Sequence, residues 1–212
     1  MTEVVTRGSG EHEVVADQAE LRVTYSANGP DRSRAVETLG ERVVGVDAVL
    51  RSDAMADAVE VRQRSMHVGD RWDRNRRVGA TAQLQLMLRV TGLAVLDDLL
   101  AALFSAEPEW LDGPHWSLTD ETAAVREAQR LAVADARARA EAYAEALGGQ
   151  LGTLLRLSDD GAERPYPVVR GGPMTFAAEA AAVSRDSVRQ LGLVPEHVTV
   201  RAACTASWSL LT

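Results

Sequence analysis

Residues 119–148, TDETAAVREAQRLAVADARARAEAYAEALG, decide the fold. Ala124, Ala128, Ala132, Ala136, Ala140 and Ala144 recur at every fourth position, and Gly148 continues the row. Side chains four apart share a helix face, so the spacing predicts one long helix from about Asp120 to Leu147. Thr119 or Asp120 can cap its first turn, Glu121 suits its positive end, and Gly148 stops it. A ridge of methyl groups lets the helix backbone lie close against another element. At 3.6 residues per turn a strict four-residue step drifts around the axis, so the row covers one broad surface and not a straight seam. Leu131, Tyr143 and Leu147 supply bulk beside it.

Strand patterns lie on both sides of this helix. Ala80, Ala82, Leu84, Leu86, Leu88 and Val90 alternate with Thr81, Gln83, Gln85, Met87 and Arg89, a long half-buried strand. The chain closes on Val198, Val200, Ala202, Cys204, Ala206, Trp208 and Leu210, with hydroxyl and Arg side chains between them. Ala19, Leu21, Val23 and Tyr25 give a third alternation, and Val59, Val61, Gln63 and Ser65 a fourth. Val4 to Glu13, with Gly8 and Gly10, reads as a bent strand ending at an Ala16-Asp17 turn. Trp110 to Leu118 is a short strand, and Leu154, Leu155 and Leu157 mark another.

Two more helices are expected. One runs from about Asp31, after Pro30, to Leu50 through Val36, Leu39, Val43 and Val46; the other follows Gly92 through Leu93, Leu96, Leu99, Leu100 and Leu103. Asp70 to Asn75 reads as a polar hairpin loop. Ser158 to Pro173, rich in Gly, Pro and Asp, reads as a long loop, with a short alanine-rich helix over Phe176 to Val183. The fold class is α+β, a mostly antiparallel sheet with three main helices packed on one face. No linker divides the chain, so residues 1–212 are read as one domain with a loop at about 158–190. The closing strand is expected to insert back into the sheet of the strand before it.

Composition narrows the chemistry. Apolar residues make up 46% of the chain, enough for a sizeable core. Lysine is absent, so all 23 basic residues are arginine. That excludes Schiff-base catalysis and a phosphate-gripping P-loop lysine. Cys204 is the one cysteine, which rules out an internal disulfide and a cysteine-held zinc or iron–sulfur centre. A net charge of −8 opposes docking on phosphate backbones and anionic membranes, so no nucleic-acid partner is expected. No stretch approaches the length of a membrane span. Met1 to Arg7 lacks the pattern of a secretory signal, so the chain as written is expected in the cytoplasm, or outside it if a leader was removed.

The order of elements resembles the SIMPL-domain family, whose bacterial members include periplasmic immunogenic proteins. Gly8-Ser9-Gly10-Glu11 with Ala16-Asp17-Gln18-Ala19 resembles the family's glycine-containing first strand and its Pro-Asp turn, with Ala16 where proline is usual. Val78-Gly79-Ala80 resembles the family's glycine-aromatic entry to the long strand, again with a departure. Ala128, Ala132, Asp135, Ala136 and Ala140 resemble its central helix, Leu147-Gly148 and Leu151-Gly152 the end of that helix, and Val194-Pro195-Glu196 the entry to its last strand. The resemblance implies no enzymatic activity, no cofactor and no catalytic residue to carry over. It implies a homo-oligomer, since some bacterial members resemble ring-like or channel-like assemblies.

Candidate sites are sparse. His12, His67, His115 and His197 are scattered without metal-ligand spacing. Cys204 lies on the apolar face of the last strand and reads as a small buried hydrophobe. Gly8-Ser9-Gly10 leads into strand residues, where a phosphate loop would lead into a helix. Gly171-Gly172 precedes Pro173 and is a weak anion-site candidate. Arg71, Arg74, Arg76 and Arg77 around Trp72 allow an RNA-binding reading, against a solvated hairpin tip diluted by Asp70 and Asp73. Asp97-Asp98, Asp120-Glu121 and Asp159-Asp160 are sequence neighbours and point apart. Trp110 and Trp116 are expected to be partly exposed and are candidate subunit contacts; Trp208 is expected in the core. No catalytic, cofactor-binding or metal-ligating residue is assigned. The expected function is a non-enzymatic structural or interaction protein that self-associates. The alternative is a small-molecule-binding domain with a pocket between sheet and helices.

Overall fold

The computed structural model describes residues 2–163 and 185–211. Its strands are β1 (Glu3–Val15), β2 (Gln18–Gly29), β3 (Val59–Asp73), β4 (Arg76–Val90), β5 (Trp110–Ser117), β6 (Gln150–Glu163) and β7 (His197–Leu211). Its helices are α1 (Arg32–Leu50), α2 (Asp53–Ala56), α3 (Leu96–Ser105), α4 (Thr122–Ala146) and α5 (Arg185–Arg189). Every strand pairing is antiparallel, and the α+β class holds. The strands divide into two sheets, in two compact units.

The first unit holds the sheet β1-β7-β6 and the helix α4. β1 and β7 pair without a break from Glu3 opposite Ser209 to Val15 opposite His197. The even-numbered residues of β7, Val198 through Leu210, are buried on one face, as the alternation predicts. α4 covers that face over β1 and β7, and β6 less fully. All six alanines of the four-residue row are buried. The helix comes close because the strand beneath it lacks side chains at two positions. A Cβ on Gly8 would stand 2.5 Å from the Ala136 backbone nitrogen, and one on Gly10 would stand 2.5 Å from that of Ala132. Two hydrogen bonds fix the crossing. Thr6 Oγ1–H donates to the Ala136 carbonyl (2.7 Å), and the Ser9 N–H donates to Asp135 Oδ2 (2.9 Å).

Both ends of α4 follow the sequence. Asp120 Oδ1 accepts the Thr122 N–H at 2.8 Å, and the Thr122 side chain first, then this backbone bond, hold the carboxyl below its ordinary pKa. Gly148 adopts φ +73°, where the Gly148 and Gly149 N–H groups donate to the Glu145 and Ala144 carbonyls and close the last turn.

The second unit holds the sheet β3-β4-β2-β5 with α1, α3 and α5. The apolar face of β4 meets that of β2 residue for residue, from Ala82 opposite Ala27 to Val90 opposite Ala19. Asp31 caps α1 by accepting the Arg34 N–H at 2.9 Å. α1 packs on β2 and β4 and buries Ala35, Leu39, Val43 and Val46. Ala35 takes the inward position expected of Val36. Tyr25, fully buried, donates its hydroxyl to the Leu103 carbonyl of α3 at 3.0 Å, and burial pushes its phenol well above the ordinary pKa.

Four expectations change. The closing strand does return to the sheet of the strand before it, but that sheet excludes β2 to β5. The chain leaves it at Ala16, whose N–H donates to the Glu196 carbonyl, while the Asp17 N–H donates to that of Ser117. The long loop does not begin at Ser158. β6 runs to Glu163, because pairing with β7 outweighs the local turn preference, and a register shift between Asp159 and Ala162 absorbs Gly161. The remaining loop residues and the expected 176–183 helix lie outside the described residues. The hairpin loop narrows to Arg74-Asn75, both at positive φ, the two-residue turn that matches strand twist. Trp116 is buried, because it lies opposite Ala19 on the core side of β2, while Trp110 is half exposed.

Gly10→Ala is expected to lower the unfolding free energy by about 2 kcal/mol or more, since backbone must yield to the new methyl. Gly45→Ala, on α1 where a Cβ meets nothing within 4 Å, should raise it by about 0.5–1 kcal/mol. Urea titrations of the two variants beside the parent check both signs.

Candidate functional site

α4 covers one face of the β1-β7-β6 sheet, and among the described residues of its unit no helix lies on the opposite face. Register places its residues in rows. Val5, Ser207 and Arg156 stand side by side across the sheet, and Arg7, Thr205 and Ser158 form the next row. The central strand carries only small side chains here, Thr205, Ser207 and Ser209, while longer ones rise from both flanks. The result is a trough of about 350 Å³ lined by Glu3, Val5, Arg156, Ser158, Asp160, Thr205 and Ser207.

Its polar groups divide into engaged and free. Asp160 accepts from Thr205 Oγ1 (2.9 Å) and pairs with Arg7 (3.5 Å), so one end is closed by charge neutralisation. Ser209 is satisfied by Thr153, whose N–H donates to its Oγ at 2.9 Å. Ser207 is only 7% exposed, yet its hydroxyl lines the trough with no hydrogen-bond partner among the described residues. Arg156 and Glu3, on opposite walls, form no ion pair among the described residues. An unpaired guanidinium, an unpaired carboxylate and a free hydroxyl suit recognition of a charged ligand.

A second surface borders the α4 side of the same sheet. Leu154 and Leu157 lie opposite Trp208 and Ala206 on that face, and Leu155 falls at a register shift. They are 47%, 50% and 51% exposed, respectively, and Tyr143 and Leu147 at the end of α4 are exposed as well.

The residues singled out from sequence do not converge. His67 and His197 are exposed, His12 is half buried, and His115 Nε2 lies 2.8 Å from Asp112 Oδ2 beside it in β5. Among the described residues no cluster of three metal-ligating side chains occurs. Cys204 is buried at 6% exposure, and burial raises its thiol pKa. Gly8-Ser9-Gly10 serves the contact with α4. Gly171-Gly172 lies outside the described residues. The arginine cluster caps the β3-β4 hairpin, where Asp70 bonds Arg32 at 2.9 Å and pairs with Arg77 at 3.2 Å; the Arg32 bond lowers its pKa. Asp159 and Asp160 point to opposite faces, and Asp97 pairs with Arg189 of α5 at 3.4 Å. Sequence reading missed the trough. Its one signal was the run of small hydroxyl residues between Thr199 and Ser209, the pattern of any solvated strand face.

The family model described as SIMPL, "Protein of unknown function (DUF541)", matches residues 4–208. The chain belongs to the SIMPL family. No curated protein matches it. Among solved structures it is similar to one from Burkholderia cenocepacia named a "putative amidohydrolase/peptidase", at 14% identity and a TM-score of 0.26. The likeness covers 53% of this SIMPL chain and 29% of that one, and carries no argument about fold or activity. No helix among the described residues is long and apolar enough to cross a membrane.

Two outcomes are expected of this SIMPL chain. Ellman's reagent should leave Cys204 unlabelled in the folded protein and label it on unfolding in urea. Asp135 has a pKa below the ordinary carboxylate value, held there first by the Ser9 N–H and then by Arg139. A depressed acid contributes stability above its unfolded pKa and loses it as pH falls through the folded value. Asp135→Ala should therefore destabilise the protein at neutral pH, and the difference from the parent should shrink through the acid range. Denaturation midpoints over a pH series measure it.

Proposed function

We propose that the protein is a non-enzymatic interaction domain that associates with copies of itself. The observation that carries the reading is the apolar strip on β6. Of the four edge strands among the described residues, β3 carries Arg62, Arg64 and Arg71, β1 carries Glu3, Arg7, Glu11 and Glu13, and β5 is short and holds Pro114. These are the features by which sheet edges resist pairing. β6 carries Arg156, Asp159, Asp160 and Glu163 in its later part, but its stretch from Gln150 to Leu155 has no charge. Its three register shifts interrupt the regular ladder, so the contact runs through leucine side chains more than through backbone hydrogen bonds.

Magnitudes set the strength. Burying five half-exposed large side chains on each of two copies contributes on the order of 10–15 kcal/mol. Association itself costs roughly 4–15 kcal/mol, so the balance gives a modest, concentration-dependent oligomer. The non-enzymatic part is supported by the use of the family-like residues: Gly8, Gly10, Ala132, Asp135 and Ala136 all serve the contact between α4 and β1.

Size-exclusion chromatography with light scattering tests the proposal. The parent should gain mass as concentration rises, and Leu154→Glu with Leu157→Glu should return it to monomer, with a denaturation midpoint close to that of the parent at dilutions where the parent too is monomeric. Met66→Glu, on exposed β3, should change nothing. A parent that stays monomeric across a wide concentration range refutes the reading.

A further inference from the structure

The trough on the face of the β1-β7-β6 sheet opposite α4 is separate from the leucine strip and owes nothing to self-association. Ser207 sits on its floor, more than nine-tenths buried, with a hydroxyl that has no partner among the described residues and lines the cavity. Arg156 stands beside it on β6, and Glu3 lies on β1 one row away. Adjacent strands are about 4.8 Å apart, so the two walls stand about 10 Å apart across β7. Asp160 does not compete for the site, because Thr205 and Arg7 already engage it.

We propose that this trough binds small zwitterions, an amino acid or a short peptide, with the carboxylate on Arg156 and the ammonium on Glu3. The guanidinium offers a planar fork that matches a carboxylate, and Ser207 Oγ–H donates to the same group. Val5, exposed on the β1 wall, faces the carbon skeleton between the two charges. The volume of about 350 Å³ lies at the small end of ligand sites, which limits the occupant to a few residues.

Isothermal titration calorimetry with L-alanine and with L-alanyl-L-alanine tests the site. At least one should bind one per chain with a Kd of about 1 mM or tighter. Binding of both assigns a free amino acid, and binding of the dipeptide alone assigns a peptide. The carboxamide and the N-acetyl form of the binding compound should each be weaker by tenfold or more. Arg156→Ala should abolish binding, while Arg156→Lys retains a part of it. Glu3→Gln should weaken the free compound and leave the N-acetyl form unaffected. Both positions are solvent-facing, so denaturation midpoints should match the parent. Light scattering on each variant separates the two readings, because a ligand-deaf Arg156→Ala should keep the parent's oligomeric state. Absence of binding at about 10 mM, equal binding of the blocked compounds, or full binding by Arg156→Ala overturns the proposal.

Discussion

One close approach governs the first unit: α4 resting on β1 at Gly8 and Gly10. Two missing side chains on the strand and a row of methyl groups on the helix bring the two backbones together. Backbone proximity then makes the polar contacts possible. Thr6 reaches the Ala136 carbonyl, and Asp135 reaches the Ser9 N–H. That second bond satisfies a donor on an edge strand, where an open donor would otherwise invite another chain. Such packing tolerates little change, since a methyl at either glycine would meet helix backbone and not a flexible side chain. Several of the residues that resemble the SIMPL family, Gly8, Ser9, Gly10, Ala132, Asp135 and Ala136, lie at this contact, so that part of the family signature is a packing signature.

Much of the fold was legible because its faces are simple. The alternations of β2, β4 and β7 and the four-residue row of α4 each point to one buried face, and the structure buries those faces. Gly148 marked the end of α4 because only a residue at ease with positive φ closes the helix there. What period cannot report is partnership. β2 and β7 both read as half-buried strands, and nothing local says that they belong to different sheets. The division depends on hydrogen bonds at Ala16 and Asp17, each to a residue about 100 or more positions away. β6 failed differently. Asp159, Asp160 and Gly161 have turn chemistry, and only pairing with β7 holds them in a strand.

The candidate sites were scarcely legible. Thr205, Ser207 and Ser209 alternate with apolar residues, as any half-solvated strand does. They become a trough floor only when β1 and β6 rise on both sides with Val5 and Arg156 in register. The walls come from strands about 200 and about 50 residues away in sequence from Ser207, so no spacing rule relates them. The residues that looked chemical, the four histidines and Cys204, do not converge: His67 and His197 are exposed, His115 pairs with Asp112 beside it, and Cys204 is buried. Cys204 is one member of a buried row, and a thiol held above its usual pKa is a poor nucleophile.

The leucine strip follows from geometry. A helix with its side chains is about 10 Å across, and strands lie about 4.8 Å apart, so one helix covers about two strands. A three-stranded sheet with one helix among the described residues leaves a third strand less covered on that side. Gly8 and Gly10 decide which one, because they draw α4 toward β1, and β6 is left less covered. Topology explains the opening but not the residues that fill it. Polar side chains at positions 154 and 157 would suit an open face and cost the core little, since both are half exposed. Leucines there gain nothing from water, and an apolar edge carries a risk of promiscuous association. A contact that covers them turns that risk into binding energy. A second copy suits the requirement, because two identical apolar strips related by a two-fold axis are complementary without matched charges.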